Sequence, residues 1–178
     1  MNAHFVFAGP LGSGKSRVSR DVAARLGAGW TSFGSTLRRI AAERGIAVER
    51  RRLQELGEEL VRNMPEALCK RVLAEAEPNG IQRIVIDGLR HTEIMPILQQ
   101  LLRPRQLLCV YVEAQDTVRA ERILLREKIS AAEIETLQLH STESQVAVAV
   151  RRLADYVVDN SGAIETTVQA VMDWIERL

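Results

Sequence analysis

Short apolar runs alternate along this chain with longer stretches in which apolar residues return every three or four positions. Five runs read as strands: His4–Ala8, Trp30–Phe33, Arg83–Asp87, Leu107–Val112 and Tyr156–Asp159. Helical spacing fills the intervals, over Leu37–Arg44, Glu49–Asn63, Glu66–Ala76, Pro96–Leu102, Thr117–Arg126 and Ile164–Arg177. Strands that alternate with helices predict an α/β fold, a five-stranded parallel sheet covered on both faces. The near-continuous apolar runs "VIDG" and "CVYV" suit strands buried on both sides. At 178 residues the expectation is one domain over the whole chain.

The turn after the first strand carries the most specific pattern. Residues 9–16, "GPLGSGKS", fit G-x-x-x-x-G-K-[ST], the phosphate-binding P-loop. Gly9, Gly12 and Gly14 let the backbone turn tightly and approach an anion, because they lack Cβ atoms. Backbone N–H groups of Leu11, Gly12, Ser13, Gly14, Lys15, Ser16 and Arg17 would then form an anion nest at a helix start. Lys15 would reach the β- and γ-phosphates of ATP, and the Ser16 hydroxyl would help hold Mg²⁺. Val18, Val22, Ala23 and Leu26 continue as a helix that Gly27 can end. A glycine-rich turn without a ligand is the bland alternative; the strand before and the helix after favour nucleotide binding.

Charge and composition narrow the partners. The formal net charge is +1, which makes no electrostatic case for a nucleic-acid polymer or a membrane surface. Of the 24 basic residues only Lys15, Lys70 and Lys128 are lysines; arginine dominates, and its planar fork suits phosphate oxygens. Cys69 and Cys109 sit among apolar residues without metal-ligand spacing and read as reduced core thiols. No apolar run has the length of a membrane span and no secretory pattern is evident, so the cytoplasm is the expected compartment.

Asp87 ends the apolar run of "RIVIDGLRH", where a second P-loop acid would organise Mg²⁺. With "GSTLR" at Gly34–Arg38 and "DGLR" at Asp87–Arg90, the sequence resembles the nucleoside monophosphate kinase group of P-loop kinases. The resemblance implies that Arg38 and Arg90 bind the acceptor's phosphate. It departs from the group's G-D-x-L-R and D-G-x-x-R stretches at Ser35, which replaces the usual acid, and at Arg90, one residue closer to Asp87. It also implies that the 34–80 interval is an acceptor-binding helical insert and 127–153 a short lid with its following helix. Arg119, Arg122 and Arg126 share a helical face leading into that lid. By the resemblance, Arg122 and Arg126 join Lys15 and Asp87 as catalytic residues, with a solvated arginine stripe as the alternative.

The C-terminal "LADYVVDNSGAIETTVQAV" is similar to the last strand, turn and helix of dephospho-CoA kinases. That likeness implies an adenine site at Asn160, Ser161 and Gly162, formed mostly by backbone atoms. Thr142 and Gln145 fit a helix capping box, a reading preferred over a catalytic His140; His91, beside the acceptor motif, is the better histidine candidate.

Three acceptor readings compete. A phosphate-bearing acceptor such as a nucleoside or deoxynucleoside monophosphate is already anionic and needs no strong base, which suits an arginine-rich site. A hydroxyl acceptor such as dephospho-CoA benefits from a carboxylate base, and dephospho-CoA kinases place an acid just after the second strand. Here that segment, "WTSFGSTL", holds no acid. A nucleotide-sensing module would need no acceptor. The first reading is preferred.

Overall fold

The computed structural model describes residues 3–76, 83–127 and 146–178. Five parallel strands, β1 (His4–Ala8), β2 (Gly29–Ser32), β3 (Ile84–Leu89), β4 (Leu107–Glu113) and β5 (Tyr156–Asp159), form one sheet in the order β2-β3-β1-β4-β5. The α/β expectation holds, with all five strands in their expected places. Successive residues of β1 point to opposite faces, as the period of two demands. Val6 and Ala8 pack with α2 (Phe33–Glu43), α3 (Arg50–Asn63), α4 (Pro65–Ala74) and α5 (Ile94–Leu101). Phe5 and Phe7 pack on the other face with α1 (Lys15–Leu26) and α7 (Ile164–Glu176). The remaining helix, α6 (Asp116–Glu127), follows β4.

Of the boundaries that differ from expectation, two do so for identifiable local reasons. The second strand stops at Ser32, and Phe33 opens α2 four residues before Leu37. Ser32 has extended backbone, and its side-chain oxygen accepts from the Ser35 N–H at 3.0 Å, an N-cap that starts the helix there. The third strand runs on to Leu89 because Gly88 adopts φ 93°, and the pairing with β1 shifts register at that point. Both cysteines are buried as expected, and burial pushes the Cys69 thiol up to about 11 and the Cys109 thiol up to about 12. Lys128, His140, Thr142, Gln145 and most of the expected lid lie outside the described residues; Val146–Val150 and Arg151–Leu153 form a π turn and a 3-10 turn before β5.

The chain order reverses about β1, which has β3 on one side and β4 on the other. In open α/β sheets the crevice beyond the carboxyl ends of such strands is where ligands bind. The P-loop leaves β1 there, Asp87 and Arg90 leave β3, and α2 follows β2 directly.

Candidate active site

At the P-loop the glycines answer to identifiable neighbours. Gly9 has φ 148°, and a Cβ there would lie 2.1 Å from the Val112 carbonyl oxygen. Gly14 has φ 83°, and its Cβ would lie 2.3 Å from Asn160 Nδ2. The loop therefore sits directly on β4 and on the turn after β5. Asn160, 1% exposed, donates from Nδ2 to the Ser13 carbonyl at 2.7 Å and accepts from Thr167 Oγ1 at 2.9 Å. Arg119 donates to the Leu11 carbonyl at 2.9 Å and to Asp116 at 2.7 Å. These side chains hold the loop from two sides. The Leu11 and Ser13 carbonyls are thereby satisfied within the protein.

Lys15 is buried at the first residue of α1, and its Nζ donates to the Pro10 carbonyl at 3.4 Å, folded across the loop. Ser16, the next residue, is exposed to the cleft. Asp87 is 5% exposed, yet its Oδ1 has no hydrogen-bond partner among the described residues. An orphaned buried carboxylate oxygen costs free energy unless a cation or donor completes it. With a serine hydroxyl lining the same cleft, the donor set is all oxygen, which suits Mg²⁺. Arg122 shows the complementary feature. Its Nη1 lies 3.6 Å from the position of a Gly14 Cβ and is a buried donor with no partner among the described residues.

One cleft of about 760 Å³ joins these groups to the acceptor candidates. Leu11, Gly12, Gly14, Lys15, Ser16, Arg17, Asp87 and Arg122 line it together with Arg38, Arg90 and His91. Arg38 comes from α2, its guanidinium nitrogens 3.8 and 3.9 Å from where a Gly34 Cβ would stand. The charged lining is basic apart from Asp87, a field that favours an anionic ligand. Ser35 occupies the position of the acid in the resembled motif. Its hydroxyl accepts from Ser32 Oγ at 2.8 Å and donates to the Ser32 carbonyl at 2.8 Å, so it serves the helix start.

Other expected residues fall elsewhere. Gly9 and Ser13 lie beneath the loop and not among the residues lining the cleft. Arg17 borders the cleft, but its guanidinium pairs with Asp21 at 2.9 Å in solvent. Arg126 belongs to the last turn of α6, and its side chain is outside the described residues. The Asn160–Gly162 turn does not line this cleft. The Asn160 side chain is committed to the P-loop, and Ser161 Oγ accepts from the Gln115 N–H at 2.9 Å while donating to Asp159 at 2.6 Å. Any base contact there is left to backbone atoms.

A family model described as "AAA domain" matches residues 8–138, from the P-loop through the region after α6. The chain belongs to this family. An Aeropyrum pernix protein named "UPF0200 protein" is 29% identical over 86% of this chain and 82% of its own. A cytidylate kinase of Pyrobaculum neutrophilum is 32% identical over 70% of this chain, although the match spans only 61% of that protein. In fold, the shikimate kinase of Acinetobacter baumannii superposes with a TM-score of 0.63 at 18% identity, covering 98% of this chain and 93% of that one. This member of the AAA domain family thus shares its fold with a shikimate kinase.

Sequence reasoning missed the apolar half of this family member's cleft. Phe33, Leu37, Val48, Leu53, Gly57, Val61 and Leu68 line it, with Arg50 and Gln54 among them. It also missed Arg20, whose guanidinium lies 4.3 Å from the Trp30 ring centroid at the cleft's edge. The spacing of Leu53, Gly57 and Val61 on α3 was an available signal.

Proposed function

We propose that the protein transfers the γ-phosphoryl group of ATP to a small acceptor that already carries a phosphate, a nucleoside or deoxynucleoside monophosphate. One observation carries this reading: a single cleft is lined by the P-loop lysine, Asp87, Arg38 and Arg90, with no second carboxylate lining it among the described residues. A phosphate acceptor is already an anion at neutral pH, so positioning and charge neutralisation suffice.

In this account the P-loop amides and Lys15 hold the donor phosphates, and Arg122 donates to oxygens that gain charge as the phosphoryl group moves. Arg38 and Arg90 fix the acceptor phosphate in line with the donor. Ser16 and Asp87 would hold Mg²⁺, which would neutralise phosphate charge when bound. His91 lines the cleft next to Arg90 and has no assigned step.

The dephospho-CoA-type alternative would need a base for a hydroxyl. Asp87 would have to be that base, because the position after β2 holds the hydrogen-bonded Ser32–Ser35 pair. The test is Arg38→Ala. Losing one charge-assisted contact, worth about 1.5–3 kcal/mol, should raise the acceptor KM about tenfold or more with the ATP KM little changed. An effect confined to ATP would remove Arg38 from the acceptor site.

A further inference from the structure

The face that α3 turns toward the cleft carries Arg50, Leu53, Gln54, Gly57 and Val61, at i, i+3, i+4, i+7 and i+11. On the other face Arg51 and Arg52 pair with Glu55 at 3.0 and 3.3 Å in solvent. Arg50 and Gln54 are half-buried and one turn apart, so their side chains stand side by side along the cleft. Otherwise this part of the lining is apolar. Across from α3 stands Leu37 of α2, whose Cδ1 lies 3.3 Å from the position of a Gly57 Cβ, so the two helices close tightly here.

A narrow apolar wall with two adjacent polar side chains suits a flat heterocycle, held by its faces and read along one edge. Arginine offers only donors, and a bidentate guanidinium needs two neighbouring acceptors. The glutamine amide carries both an acceptor oxygen and an NH₂ group, so beside those two acceptors it can accept from a ring donor or donate to a third acceptor. Cytosine presents the first order along its pairing edge: the O2 and N3 acceptors, then the 4-amino donor. Uracil interrupts it with N3–H, and adenine has one acceptor beside its amino group. Guanine repeats the order at N7, O6 and N1–H, but on a two-ring base.

We propose that Arg50 and Gln54 are the base-reading pair of the acceptor site and select cytosine. Arg50 donates to O2 and N3, and the Gln54 side-chain oxygen accepts from the 4-amino group. The inference rests on the monophosphate-acceptor reading above, and the cytidylate kinase among the relatives supports the choice of base.

The experiment measures kcat/KM of the full chain for CMP, UMP, AMP and GMP with MgATP, in the wild type, Gln54→Met and Arg50→Met. Methionine keeps the length and the apolar stem, and thermal melting of each variant checks that it folds. The wild type should prefer CMP over UMP by tenfold or more. Both variants should bring that ratio toward one with the KM for ATP unchanged. A wild-type preference for UMP, AMP or GMP overturns the pair's assignment, as does a CMP preference that survives both substitutions. In either case the monophosphate-kinase reading stands. Turnover of none of the four overturns that reading and the inference with it.

Discussion

Asn160 holds the P-loop through one bond, from its Nδ2 to the carbonyl of Ser13 at 2.7 Å, across 147 positions of sequence. The same nitrogen fills the space beside Gly14 that a Cβ would occupy. The turn after β5 therefore braces the P-loop.

Asn160→Ala should leave the Ser13 carbonyl without this donor and the Thr167 hydroxyl with only its longer bond to the Asp159 carbonyl, at 3.3 Å, a cost of about 1–3 kcal/mol. The expected result is a lower melting temperature together with weaker ATP binding, read by calorimetry. Unchanged ATP affinity would detach this contact from ATP binding.

Arg122→Ala should separate binding from chemistry. Its buried Nη1 lies beside Gly14 with no partner among the described residues, and on the proposed reading it would meet charge that develops on the transferring group. The expected loss is about a hundredfold in kcat, the scale of removing one such donor, with little change in the Kd for ATP. A variant with wild-type kcat would return Arg122 to the solvated-stripe reading.

His4 gives a pH dependence of stability remote from the cleft. Its Nδ1 accepts from the Ile84 N–H at 3.1 Å, and burial first, then Arg105 and Arg83, holds its pKa below the ordinary 6.5. The unfolded chain therefore binds this proton more readily, so stability rises with pH between the two values. The contribution is present above about pH 6.5 and is lost as pH falls through the lowered value. Melting temperatures from pH 7.5 down to 5 should show a steeper fall for the wild type than for His4→Asn, which keeps an acceptor without titrating. Parallel curves would contradict this.

Much of the fold was legible because its signals are local. Strand periodicity needs only neighbours, and the P-loop motif lies within residues 9–16. The β2–α2 boundary was misplaced because a capping serine in extended backbone looks like one more strand residue until its bond to Ser35 is seen. The site was legible only where one motif builds it. Arg119 reads as a surface arginine in its helix, yet it holds Leu11, 108 positions away. The apolar wall of the cleft arises where α2, α3 and α4 meet, a convergence that no single stretch encodes.

The most direct measurement is ADP formation from MgATP by the purified wild type, with and without nucleoside monophosphates or dephospho-CoA. The account predicts that a nucleoside monophosphate stimulates ADP formation and that the corresponding diphosphate appears in equal amount. ADP released at the same rate without any acceptor, or stimulated by dephospho-CoA alone, would contradict it.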